Sequence, residues 1–347
     1  MKHKLWLVLV CATLTACASS KVDRNQTFDV LANGIWQKAE NIGRSDNDTL
    51  PDMSADALAK ANQQRQQLLA ELAAVDVQAL SEQNQINHNI LVYRLQNQVD
   101  EYTYGDRYMP LTAESGFHSD VIFMLSGNKF KTAEDVEKYL KKISSVPRYM
   151  AQQTAWMRQG IAKGYTQPKA VLAGYEQGIL SFIQKDIDQS VFFRPLLKPV
   201  ATIPAAKWQE LQQQARTIIA EQIQPAYQQY YDFFVGEYLP AARESIAASS
   251  LPEGAAFYQN RLEHYTTLKM TPAEVHQIGL SEVARIRAEM ATVIAQTGFK
   301  GSFADFIQFL RTDKQFYVTT PDQLLKEASF LAKKIDAQLP KLFGTLP

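Results

Sequence analysis

Histidines are the first residues to examine for chemistry. Beyond His3 the chain has four of them: His88, His118, His264 and His276. A helical zinc site asks for two histidines four residues apart with a glutamate after the first. No pair has that spacing; the nearest, His264 and His276, are twelve apart, and no histidine precedes a glutamate. A serine elbow (G-x-S-x-G) and a phosphate-cradling glycine loop are also absent from the sequence. SGNK, residues 126–129, fits the S-x-x-K pattern but has no S-D-N or K-T-G partner, which marks a chance match. His118 sits in SGFHSD, and Asp120 two residues on is placed to fix its tautomer. His264, in EHYTT, reads as a loop-fixing residue. His276 lies beside an apolar stripe, and a half-buried, hydrogen-bonded ring is the commoner fate of such a residue.

Cys17 offers a different chemistry. Lys2 and Lys4 give a positive start, residues 5–14 form an uncharged apolar run, and LTAC follows. These are the parts of a secretory signal, and the run is shorter than the ~20 residues of a membrane span. LTAC resembles the bacterial lipobox, in which cleavage precedes a cysteine whose sulfur takes a diacylglycerol. The expected layout is a lipoprotein signal peptide over 1–16, lipidation at Cys17 and a short tether over 17–25. By the same resemblance Ala18, in place of an aspartate, implies anchoring to membrane lipid at the outer membrane, facing the periplasm.

Behind Cys17 the charge is nearly balanced: without Lys2 and Lys4, 34 basic residues face 36 acidic ones. No basic excess or stripe points to nucleic acid. Cys11 leaves with the signal and Cys17 carries lipid, so no disulfide is available and stability rests on core burial. With 46% hydrophobic residues the chain is long enough for a large core.

The elements that must position these side chains read as helices. Thr271, Pro272 and Glu274 open the clearest one with a capping box, and Val275, Ile278, Val283, Ile286, Met290 and Val293 form its stripe up to Gly298. Ser302 and Asp305 open the next, with Phe303, Phe306, Ile307 and Leu310 facing inward, and Thr320, Pro321 and Gln323 open a third. Earlier helices are predicted over 54–75, over 81–102 with Ile86, Ile90, Tyr93 and Val99 on its stripe, and over 132–146 and 147–163. A long one follows over 208–239, bent near Pro225. SVFFRPLL and QFYVTT are the only strand candidates. The expected fold is all-α, a single elongated multi-helix body over 26–347.

The segment LPEGAAFYQNRLEHYTTLKMTPAEVHQIGLSEVARIRAEM, then GSFADFIQFLRTDKQFYVTTPDQLL and IDAQLPKLF, resembles a widespread bacterial family, domain-of-unknown-function family 885. YMPLTAESGFHSD and residues 132–168 are similar to its N-terminal half. The resemblance implies an all-α protein similar to zinc metallopeptidases of the carboxypeptidase Taq type. Their candidate active site is a His-Glu-x-x-Pro-Gly-His-His helix lying beyond the stretch that matches LPKLFGTLP. That motif is absent here, so the resemblance puts no zinc ligand and no catalytic role on any residue of this chain. The resemblance implies zinc for the full-length family only. The expectation is a C-terminally incomplete member, not catalytic alone, with a peptide substrate or a missing C-terminal half as partner. The alternative is a non-catalytic helical lipoprotein that binds a peptide or protein. By the same resemblance His118, Asp120, Glu274, His276, Glu282 and Arg285 belong to the framework of a groove, with His118 or His276 orienting a substrate carbonyl or an outer carboxylate.

Overall fold

The computed structural model describes residues 23–45, 48–125 and 129–346. The signal segment, Cys17 and most of SGNK lie outside the described residues. Among those residues the fold is all-α, with isolated bridges at Leu111–Gly116 and Pro168–Arg243 as the only β pairing. SVFFRPLL instead holds a 3-10 turn at Arg194–Leu196, and QFYVTT begins on another at Lys314–Phe316. A proline in the first and a short polar context in the second leave no extended pair to form a ladder.

The chain divides into two compact units, at Leu268 and Lys269, where a single body was expected. Burial shows why: the buried core ends at Leu262, and no later described residue is buried.

In the first unit, α1 (Arg24–Asn41), α2 (Ala55–Ala73) and α3 (Glu82–Thr103) share a small core of Phe28, Ile35, Leu68, Leu72, Leu91 and Leu95. Asp23, Ser54 and Ser81 cap their N-termini. The buried face of α3 takes up only Val99 of the four residues expected on it. Ile86, Ile90 and Tyr93 are exposed, while Asn84, His88, Leu91, Leu95 and Val99 turn inward. Asn84 Nδ2 donates to Asp29 Oδ1 at 2.9 Å, and His88 Nε2 bonds the Leu72 carbonyl at 3.1 Å, so both polar groups are satisfied inside.

The larger core gathers α4 (Phe117–Leu125), α5 (Ala133–Ser144), α6 (Val146–Lys163), α7 (Tyr175–Leu180), α8 (Ala205–Ile218), α9 (Gln224–Phe233) and α10 (Leu239–Ala241). Thr132 and Asp135 close a capping box on α5. From α8 to α10 the chain runs as one helix interrupted by two π-helical turns, Ile219–Ile223 and Phe234–Tyr238. Each turn lies just ahead of a proline, Pro225 or Pro240. Proline removes an N–H and crowds the carbonyl four residues back, and a wider turn relieves both. Near Pro225, where a bend was expected, the chain forms this wider turn. The unit ends with α11 (Gly254–Thr266).

The second unit contains α12 (Pro272–Gln296), α13 (Phe303–Thr312), α14 (Pro321–Asp336) and α15 (Leu339–Leu342). The predicted capping boxes Thr271/Glu274 and Ser302/Asp305 are both present. The rings of Phe306 and Phe309 pack against Phe299, each with centroids 5.2 Å from it. The stripes expected to face inward stay largely open: Ile286 is 44% exposed, Phe303 52% and Leu331 56%.

Candidate functional site

Of the predicted site residues, His118 has the most specialised surroundings. Gly116 sets its position. A Cβ there would lie 2.5 Å from the Tyr175 hydroxyl and 2.9 Å from Leu111 Cβ, so only glycine fits the turn. Ser119 Oγ accepts from Gly116 N–H at 3.1 Å, and Tyr175 Oη donates to the Ser115 carbonyl at 3.0 Å. α4 therefore starts with His118 in its first turn, directed into the core.

The ring is 4% exposed and is walled by aromatic side chains. Centroids of Tyr175, Tyr230, Phe182 and Phe117 lie 5.3, 5.6, 5.9 and 6.2 Å away. Its Nδ1 is buried without a hydrogen-bond partner. Desolvation pushes its pKa down to about 4, so the imidazole is neutral near neutral pH. Asp120 does not hold its tautomer. Two residues apart on a helix are ~200° apart, and the Asp120 side chain sits exposed on the opposite face.

The other candidates lie on α12 in the second unit. Glu274 closes the capping box, accepting from Thr271 N–H at 2.7 Å and Thr271 Oγ1 at 2.8 Å. Those bonds, the backbone one foremost, hold its carboxyl below the usual range. Arg285 forks onto Glu282, with Nη2 to Oε2 at 2.7 Å, and also reaches Glu289 at 2.7 Å. His276 is exposed on the same helix. Each group has a local structural task or faces solvent, and within neither unit do the six candidates gather into one cluster.

The donor set decides whether zinc fits. Among the described residues no three His, Cys, Asp or Glu side chains converge. His88 is bonded to a carbonyl, His118 is surrounded by rings, and His264 stacks on Tyr93 with centroids 4.9 Å apart. A hydrolytic zinc needs about three protein ligands around an open position, so these residues do not suit it and no catalytic step is assigned through the metal.

A cleft of about 500 Å³ between α6 and the long helix went unforeseen. Met150, Ala151 and Ala226 form its apolar side, and Thr154, Arg158 and Glu237 its polar end. Arg158 forks onto Glu237, at 2.8 and 2.7 Å, with its guanidinium 4.7 Å above the Phe233 ring. The paired fork occupies the cation that would attract an anionic ligand. Gly236, beside Glu237 in the turn ahead of Pro240, also lines the cleft.

The family model described as "Bacterial protein of unknown function (DUF885)" matches residues 37–347. The fold is similar to the crystal structure of the putative lipoprotein from Colwellia psychrerythraea, with a TM-score of 0.75 and 18% identity. That likeness covers 93% of this chain and 58% of the other, so the chain spans less than two thirds of its structural relative. No curated protein matches the chain.

Proposed function

The chain belongs to the DUF885 family, and on that premise we propose that it is the N-terminal helical framework of a lipid-anchored, zinc-metallopeptidase-like protein. In this reading it is not catalytic by itself. Cys17 tethers it to membrane lipid, at the outer membrane and facing the periplasm, and the zinc chemistry belongs to polypeptide outside residues 1–347. The carrying observation is the unequal coverage: nearly all of this chain matches a relative whose own chain is much longer. The name of that relative supports the lipid anchor. No described helix is long and apolar enough to cross a membrane. The scattered donors described above favour placing the metal ligands elsewhere.

The open apolar faces of the second unit favour a second reading, a non-catalytic lipoprotein that binds a peptide or protein partner. Metal analysis and a peptide-cleavage assay test the first reading. The purified chain should hold no stoichiometric zinc and cleave nothing, and co-expression with the polypeptide encoded directly downstream should confer chelator-sensitive cleavage. One tight zinc per chain with cleavage by the chain alone would overturn it.

A further inference from the structure

Among the described residues of the second unit, α12 carries a long exposed apolar face. At ~100° per residue, Val275, Gly279, Ile286, Met290 and Val293 fall within about 60° of arc along most of the helix, with Glu282 interrupting the row between Gly279 and Ile286 and Glu289 at its edge. Ile286, Met290 and Val293 are 44, 38 and 56% exposed, and Ile278 and Val283 widen the band at 50 and 53%. Isolated exposed apolar side chains are ordinary, but this many on one side of one helix mark a contact surface, within which Glu282, paired to Arg285, is the charged position.

Gly279 adds a second, independent observation. It sits mid-helix with ordinary helical backbone, and a Cβ built there meets nothing within 4 Å. The fold seen here therefore has no need of glycine at that point, although glycine is among the poorest helix formers. What glycine supplies in such a place is close approach of another backbone. A notch within an apolar row is the surface that receives a crossing helix.

We infer that this face of α12 seats one amphipathic helix from polypeptide outside residues 1–347, crossing nearest at Gly279. The occupant is a helix because the stripe has helical period and the notch has room for a backbone. Its source is argued from length: the structural relative has about two fifths of its chain beyond the matched part. The inference rests on the reading proposed above and adds the surface and the crossing point.

The test uses the whole chain, co-expressed with the polypeptide encoded directly downstream of codon 347. The two should co-purify, with hydrogen exchange of the 275–293 amides slowed at least tenfold relative to the chain alone. Gly279→Leu and Ile286→Asp should each weaken association at least tenfold. Both positions are solvent-exposed, so helical circular dichroism of the free variants should be unchanged. A stable complex that leaves 275–293 exchange unaltered would overturn the surface assignment while sparing the proposed function. Absence of a co-purifying downstream polypeptide would overturn both. Dimerisation of the chain alone through this stripe, abolished by Ile286→Asp, would overturn the assigned occupant.

Discussion

The phenol of Tyr227 donates a 2.6 Å hydrogen bond to the backbone carbonyl of His118, joining α9 to the first turn of α4. Both residues are buried, at 0 and 4% exposure, so water cannot replace the bond when it is lost. Tyr227→Phe should cost about 1–2 kcal/mol. Urea unfolding would show this as a lower midpoint at unchanged slope, and an unchanged midpoint would remove the bond from the account of stability.

The buried imidazole makes stability depend on pH. Its folded pKa is about 4 against an ordinary 6.5, so below pH 6.5 the unfolded chain binds a proton that the folded chain refuses. Stability from this group is full above pH 6.5 and falls as the pH drops toward 4, by about 3 kcal/mol at most. His118→Phe should flatten the curve in that window relative to wild type. Parallel pH profiles for the two proteins would assign the acid sensitivity to other groups.

Two glycines should respond oppositely to a methyl group. Gly116→Ala places carbon against the Tyr175 hydroxyl and Leu111 and should destabilise by about 1–3 kcal/mol. At Gly236 nothing lies within 4 Å of the added carbon, and the backbone is already helical. Gly236→Ala should therefore stabilise by about 0.4–1 kcal/mol. Thermal melts of both variants check the pair, and a lower melting temperature for Gly236→Ala would contradict the open space.

Lipidation is directly measurable. Labelled palmitate should enter the wild-type protein and be absent from Cys17→Ala, with the variant released from membranes by a salt wash. A single acyl chain anchors only marginally, so firm retention requires more than one. Equal labelling of the two proteins would defeat the assignment.

Much of the fold was legible because its signals are local. Capping boxes at Thr132/Asp135, Thr271/Glu274 and Ser302/Asp305 involve residues three apart, and the structure contains all three. The face of α3 was misread because hydropathy scores Asn84 and His88 as solvent-facing. Their partners, Asp29 and the Leu72 carbonyl, come from other helices and leave no trace in a local pattern. The candidate site was less legible for the same reason. Proximity in sequence suggested a His118–Asp120 pair, but helical geometry turns those side chains apart. The rings around His118 come from α4, α7, Phe182 and α9, which only the tertiary fold brings together.

The two π turns have a consequence for phase. The buried row of the long helix runs Trp208, Leu211, Ala215, Ile219, Ile223, Tyr227, Tyr230, Phe234, Tyr238, thirty residues in eight steps. Its average step exceeds 3.6, so on an uninterrupted α-helix the row would have wound about 120° around the cylinder by Tyr238, leaving that ring outside the core. Each widened turn absorbs extra chain without advancing the face, and so resets the angle. Pro225 and Pro240 thus act as the timing marks of this helix. Straightening the first turn into ordinary α-helix with every residue kept would rotate Tyr227, Tyr230 and Phe234 out of register, whereas deleting one residue from it would restore ordinary helix and leave them in phase.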